Sequence, residues 1–229
     1  MILSNECWLK DRCNKNLRSH CVDGAFCVKL FKLDTLYNNS LLSKNQRNKI
    51  NLYIDADGTD RDAFKALKEI EQNIIDFVKN GENIYIYSTT CGNGKSSWAI
   101  RLIQSYFDRC WPYADLGCSA LFINVPRFFL CLKDNINGPN EYAEHIKKYV
   151  LEAPLVVWDD IATKSLTSYE HEHLLNLIDT RLAKGLSNIY TSNISDDNLQ
   201  EKVGDRLASR IVNKSTCIEF FGKDKRGLK

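Results

Sequence analysis

The sequence predicts an α/β fold, a mainly parallel sheet flanked by helices and centred on a phosphate-binding loop, and three observations carry that prediction. The apolar run Tyr85-Ile86-Tyr87 breaks into a turn rich in glycine and ends in Gly94-Lys95-Ser96, after which Trp98, Ala99, Leu102, Ile103 and Phe107 recur at helical spacing. A second apolar run, Leu155-Val156-Val157-Trp158, delivers Asp159 and Asp160 at its end. A further strand, Asn188-Ile189-Tyr190-Thr191, presents Ser192 and Asn193 at its end.

The first stretch has the chemistry of an anion cradle. Glycines let successive backbone N–H groups turn inward around phosphate oxygens, and the following helix aims its positive dipole end at the same anion. Thr89, Thr90, Cys91, Gly92, Asn93, Gly94, Lys95, Ser96 and Ser97 are therefore the expected nucleotide contacts. Lys95 would reach the β- and γ-phosphates, and the Ser96 hydroxyl would ligate Mg²⁺. Thr89 stands where the pattern G-x-x-x-x-G-K-[ST] has its first glycine. The alternative is an ordinary glycine-rich strand-to-helix turn; the flanking strand and helix patterns favour phosphate.

Open α/β sheets place ligands at the C-terminal ends of their strands, where Asp159 and Asp160 are expected. Triphosphate-bound Mg²⁺ needs hard oxygen ligands, and a hydrolytic water needs a carboxylate to orient it. Asp159 suits the first role, through metal-bound water, and Asp160 the second. An apolar run ending in two aspartates is also a common strand-and-turn pattern; its place after Lys95, with strand and helix between, makes it a matched partner. Asn193 could hold the attacking water or the γ-phosphate, or simply make a turn.

At 229 residues, 44% hydrophobic and 26% charged, the chain has room for one such domain and a small appendage. No apolar run approaches the roughly 18 residues of a membrane span, and no secretory segment follows Met1, so a cytoplasmic protein is expected. Its nine cysteines are then read as thiols or metal ligands instead of disulfides. The net charge of +2 divides unevenly, with +5 over residues 1–50, +4 over 198–229 and −7 between. Basic ends suit nucleic acid or an acidic partner surface, and equally suit solvated lysines that aid solubility.

Four cysteines, Cys7, Cys13, Cys21 and Cys27, have five, seven and five residues between them. Thiolates bind Zn²⁺ tetrahedrally, and His20 could replace one of them, but no C-x₂-C knuckle is present. The other reading is small buried hydrophobes in a helical module. Residues 1–35 are expected to form this Cys-rich module, 36–58 a polar linker through Asn38-Asn39-Ser40, and 59–229 the nucleotide-binding domain. Thr59 or Asp60 should cap a helix carrying Phe64, Leu67, Ile70, Ile74, Phe77 and Val78 up to Asn80-Gly81. Asp55, Asp57, Asp60 and Asp62 lack the EF-hand pattern and read as a turn plus cap. After a strand at Ala120–Val125, Pro126 opens a helix whose Phe128, Phe129 and Leu132 read as core; with Arg127 and Lys133 the alternative is base stacking. Thr167-Ser168 caps a later helix, on which His171 and His173 face different sides. Arg206 and Arg210 lie four apart on one helix face, where they could pair with carboxylates or reach a neighbouring subunit's γ-phosphate.

Taken in order, TTCGNGKSS, LVVWDD, YTSN, GDRLASRI and GKDKR resemble AAA+ ATPases of the DnaC/IstB type, especially phage-encoded replicative helicase loaders, over about residues 60–229. The resemblance implies an AAA+ fold without a full C-terminal lid. It makes Lys95 and Ser96 the Walker A pair, Asp159 and Asp160 Walker B, and Asn193 sensor 1. It implies Arg210 as arginine finger, with Arg206 the second candidate, and Arg226 as the short C-terminal motif standing in for sensor 2. Asp160 stands where many AAA+ proteins have Glu, so turnover should be slow. The implied cofactors are ATP and Mg²⁺, with Zn²⁺ if the N-terminal thiols bind it. The implied partners are a replicative helicase, docked through residues 1–50, single-stranded DNA, and further copies of the chain sharing ATP sites in the cytoplasm, the host's if phage-encoded. Rival readings are an IstB-like ATPase that binds duplex DNA and directs a transposase, and a P-loop kinase of a small acceptor. A kinase should carry a mobile arginine-rich lid, whereas the late arginines here sit on a motif suited to subunit contact.

Overall fold

The computed structural model describes residues 7–10, 13, 26–48, 50–54, 58–134 and 138–225. Five strands, β1 (Asn83–Tyr87), β2 (Ala120–Asn124), β3 (Leu155–Asp159), β4 (Ser187–Ser192) and β5 (Thr216–Glu219), form one sheet in the order β2-β3-β4-β1-β5, and every pairing is parallel. Strand β3 is buried along its whole length, as a strand covered on both faces must be.

Alternation along the strands sends their side chains into two cores. Ile84, Ile86, Phe122, Val157 and Ile189 face helices α1 (Val28–Asn39), α2 (Arg61–Gln72), α3 (Ile74–Lys79) and α4 (Lys95–Cys110). Tyr85, Tyr87, Ile123, Trp158 and Tyr190 face α5 (Val125–Asp134), α6 (Glu141–Tyr149), α7 (Ser168–Ala183), α8 (Leu199–Val203) and α9 (Asp205–Val212). Phe128, Phe129 and Leu132 of α5 are buried in this second core. Among the described residues, no helix is long and apolar enough to cross a membrane.

The chain leaves β1 toward the first face, through α4, and leaves β4 toward the second, through α8 and α9. Adjacent parallel strands whose connections diverge in this way open a crevice between their C-terminal ends, the general ligand position in open α/β sheets. The opposite end of β4 is pinned by Arg181 of α7, fully buried, which donates to the carbonyls of Val150 (2.6 Å), Ala153 (2.8 Å) and Ser187 (2.6 Å) and to Asn188 Oδ1 (2.7 Å).

The expected boundary after residue 35 falls inside α1, whose Leu33, Leu36 and Tyr37 share a core with Trp98 and Phe107 of α4. Tyr37 meets Phe107 edge-on at 5.0 Å between ring centroids. The polar run at 38–40, expected to be linker, instead closes the outer edge of β2. The Ser40 carbonyl accepts from the Phe122 N–H at 2.8 Å, and Asn39 donates to the carbonyls of Leu116 and Gly117. The Ser40 backbone thus pairs one group of the β2 edge, and the Asn39 side chain holds the loop that precedes that strand. Cys13 and Cys27 are free thiols, and the Cys27 sulfur caps α1 by accepting from the Leu30 N–H at 3.5 Å. Among the described residues no group of three or more His, Cys, Asp or Glu is placed to hold a metal; Cys21 and His20 lie outside those residues.

Glu170, fully buried, forms a capping box with Thr167 at the start of α7, accepting the Thr167 N–H at 3.0 Å and the ammonium groups of Lys133 and Lys164 at 3.1 Å each. Burial pushes its pKa up, but the Thr167 amide and the two lysines outweigh that and take it down to about 2. A carboxylate held below its unfolded value stabilises the fold above that value and loses its contribution as pH falls toward the folded pKa. The melting temperature of the wild type should therefore drop between pH 4.5 and about pH 2, and Glu170→Gln should flatten that part of the curve.

Candidate functional site

The site is built where β1, β3 and β4 end together. Parallel register sets Tyr87 beside Ser192, Trp158 beside Tyr190 and Asn124 beside Asp159. Each strand is thus forced to release its polar C-terminal residues at one edge, beside the crevice between β1 and β4.

After β1 the chain turns through Ser88, whose buried hydroxyl accepts the Thr90 N–H at 3.0 Å and the Asn93 side-chain amide at 2.6 Å. Asn93 Oδ1 and the Thr90 carbonyl in turn receive the Lys95 ammonium, at 3.1 and 2.9 Å. The loop is therefore wound around the lysine before any ligand enters. Gly92 and Gly94 lie at φ +76° and +105°, conformations that favour glycine, whereas Thr89 is not among the described residues with positive φ. Threonine at the first motif position consequently carries no left-handed strain. A Cβ built on Gly94 would meet nothing within 4 Å, so the cradle is open above its last glycine. Gly94 also heads α4 without a side-chain cap, leaving the first-turn amides, Ser96 and Ser97 included, directed at that opening.

Opposite the lysine, Asp159 is nearly buried and accepts the Thr191 hydroxyl at 2.8 Å. Asp160 follows in a left-handed conformation, φ +58°, that Asp and Asn adopt more readily than other residues. Burial raises its pKa, and the Asp159 charge raises it further; the Lys95 charge and a hydrogen bond from Asn124 act the other way without cancelling the rise. Lys95, Asn124 and Asp159 are thus the neighbours of Asp160. Asn193, half-buried beyond β4, makes no side-chain hydrogen bond among the described residues. A serine hydroxyl and a carboxylate are hard oxygen donors of the kind Mg²⁺ takes when phosphates supply the rest of its shell, so the donor set fits Mg²⁺–nucleotide.

The expected arginines stand elsewhere. Arg206 and Arg210 are exposed on α9, and Arg210 Nε is paired with Asp179 of α7 instead of any member of the Lys95 group. Arg226 lies outside the described residues, but the chain just before it crosses the loop: the Lys225 N–H donates to the Gly92 carbonyl at 2.9 Å. Asp60, expected only as a helix cap, makes no cap bond. Its buried carboxylate accepts the Phe221 and Gly222 N–H groups at 2.8 and 3.0 Å, and Lys225 Nζ stands 3.6 Å from it. Asn124, Ser88, Thr191 and Asp60 are the site residues that sequence reasoning did not single out; position just beyond or at the end of a strand marks the first three, and nothing local marks Asp60.

No protein-family model matches the chain, and no curated protein matches it in sequence. Solved structures do resemble it. The DnaC helicase loader superposes with a TM-score of 0.61 at 16% identity, covering 78% of this chain and 99% of that one. DnaI does so with a TM-score of 0.61 at 20% identity, covering 82% and 95%. The replication initiator DnaA bound to AMPPCP and single-stranded DNA gives 0.57 at 18%, covering 73% of this chain and 48% of that one.

Ser88→Ala removes the acceptor for two loop donors, each bond worth about 0.5–1.5 kcal/mol net. Nucleotide affinity, measured by titration with a fluorescent ATP analogue, should fall by about tenfold, and the melting temperature should drop by about 2–4 °C per kcal/mol lost. Together, the parallel five-stranded sheet, its flanking helices and these superpositions show that the chain shares the α/β fold of these solved structures.

Proposed function

We propose that this chain is an ATP-dependent loader that binds a replicative DNA helicase through residues 1–50 and assists its placement on single-stranded DNA. The observation that carries the reading is the convergence of Lys95, Asp159 and Asp160 at one sheet edge, with Asn193 at the end of the adjoining strand. Similarity of fold to the DnaC helicase loader, DnaI and DnaA supports the replication context.

In this reading the loop amides and Lys95 hold the β- and γ-phosphates, and Ser96 and Asp159 hold Mg²⁺, which when bound would neutralise phosphate charge. Asp160 orients the attacking water, and Asn193 fixes that water or the γ-phosphate. The raised pKa of Asp160 suits a group that must accept a proton, while its short side chain limits its reach and keeps turnover slow. Arg226 would take the sensor 2 role that the resemblance implies. Arg210 acts on the ATP of a neighbouring copy. Its exposed pairing with Asp179 is worth under about 1 kcal/mol, so little opposes its transfer to a phosphate.

Lys95→Ala should lower turnover by about 100-fold, and undiminished hydrolysis would overturn the phosphate-loop assignment. Arg210→Ala should abolish the rise in specific activity with protein concentration while leaving nucleotide affinity intact. A rise identical to that of the wild type would remove the finger assignment. Retention of a hexameric helicase by the full chain in ATP but not ADP, and preference for single over double strands in filter binding, would support the loader; a duplex preference would point to the transposase-helper class.

A further inference from the structure

We propose that Thr191 is a positioning residue of the nucleotide site, in which one hydroxyl sets Asp159 and Asp160 relative to each other. The proposal rests on the ATPase reading above. Thr191 lies in β4, across from the end of β3, and is 1% exposed. Its Oγ1 donates to Asp159 Oδ1 at 2.8 Å and accepts the Asp160 N–H at 3.0 Å, so the two partners of a single hydroxyl are the two adjacent carboxylate residues. Its carbonyl accepts the Ile161 N–H at 2.9 Å, and the next hydroxyl, Ser192 Oγ, donates to the Ile161 carbonyl at 2.8 Å.

These bonds hold a turn that its own backbone disfavours. Asp160 and Ala162 both lie at positive φ, +58° and +72°, a region that costs a non-glycine residue about 1 kcal/mol or more. The bonds from Thr191 and Ser192 hold the chain there and carry Asp160 toward Lys95. No other hydrogen bond reaches the Asp159 carboxylate among the described residues, so Thr191 alone fixes which oxygen is occupied and which remains for a hydrated cation. The hydroxyl is spent on the side chain of one functional residue and the backbone N–H of the next.

The test compares Thr191→Val, which keeps the shape and removes the hydroxyl, with Thr191→Ser, which keeps the hydroxyl. Two quantities are read on the full chain: steady-state ATPase kcat and KM, and the affinity for a fluorescent ATP analogue titrated with Mg²⁺ or in EDTA. For Thr191→Val the expected result is a fall in kcat of about tenfold and a rise of similar size in the Mg²⁺ midpoint, with affinity in EDTA unchanged. Thr191→Ser should lie within about twofold of the wild type on both. Wild-type behaviour of Thr191→Val overturns the proposal. So does a serine variant as impaired as the valine one, or an equal loss of affinity in EDTA. Thr191→Ala replaces valine where that variant does not fold; if neither folds while serine does, the hydroxyl belongs to the fold alone and the proposal falls. Failure of the wild type to bind Mg²⁺–nucleotide would instead remove the ATPase reading, and this inference with it.

Discussion

The parallel hydrogen-bonded register of β4 with its two neighbours is the constraint on which the site depends. Because Tyr87 aligns with Ser192 and Trp158 with Tyr190, the ends of three strands arrive together at one edge. A shift of one residue in either pairing would exchange the buried faces of a strand and point its terminal residue to the wrong side. Registration is secured from below, where buried Arg181 ties the start of β4 to the chain preceding β3, and from above, where Thr191 ties the end of β4 to Asp159 and Asp160. Both ties converge on β4, the strand at the crevice.

Polar groups that look idle along the sequence do most of the closing. Ser40 pairs one group of the β2 edge, Asn39 holds the loop before that strand, Ser88 gathers the phosphate loop, and Asp60 receives the chain that passes over that loop. The same strap puts the Lys225 N–H on Gly92, so the C-terminal segment and the glycine turn share a hydrogen bond. A segment distant in sequence thereby becomes part of the wall around the cradle, and the start of α2 becomes its anchor.

What was legible in the sequence was whatever had strong periodicity or obligatory chemistry. Strands β1 and β3 carry apolar runs, α4 repeats apolar residues at helical spacing, and the glycines at 92 and 94 are at positions that need positive φ. Other elements lacked such signals. Strand β5 has four residues and buries only Ile218, too little for a pattern, and α6 opens at Asn140, which as a helix cap looks identical to the loop residue that ends the element before it. One helix expected up to Asn80 divides at Asn73 into α2 and α3, a break that continuous apolar spacing conceals. Residue 35, expected as a boundary, lies within α1, whose Leu33, Leu36 and Tyr37 join the main core while Val28 and Phe31 are exposed, so apolar residues on more than one side of the helix hide which face packs. Within the site, Lys95, Asp159 and Asp160 were legible as chemistry, but Asn124, Thr191 and Asp60 act through partners far along the chain, which a one-dimensional pattern does not contain.

The central claim is that this sheet edge is a Mg²⁺–ATP site. Its most direct test is titration of the full chain with a fluorescent ATP analogue in Mg²⁺ and in EDTA, followed by displacement with unlabelled ATP. Saturable binding that Mg²⁺ tightens and ATP reverses is the predicted result. Absence of saturable binding, or binding indifferent to both Mg²⁺ and competing ATP, would contradict it.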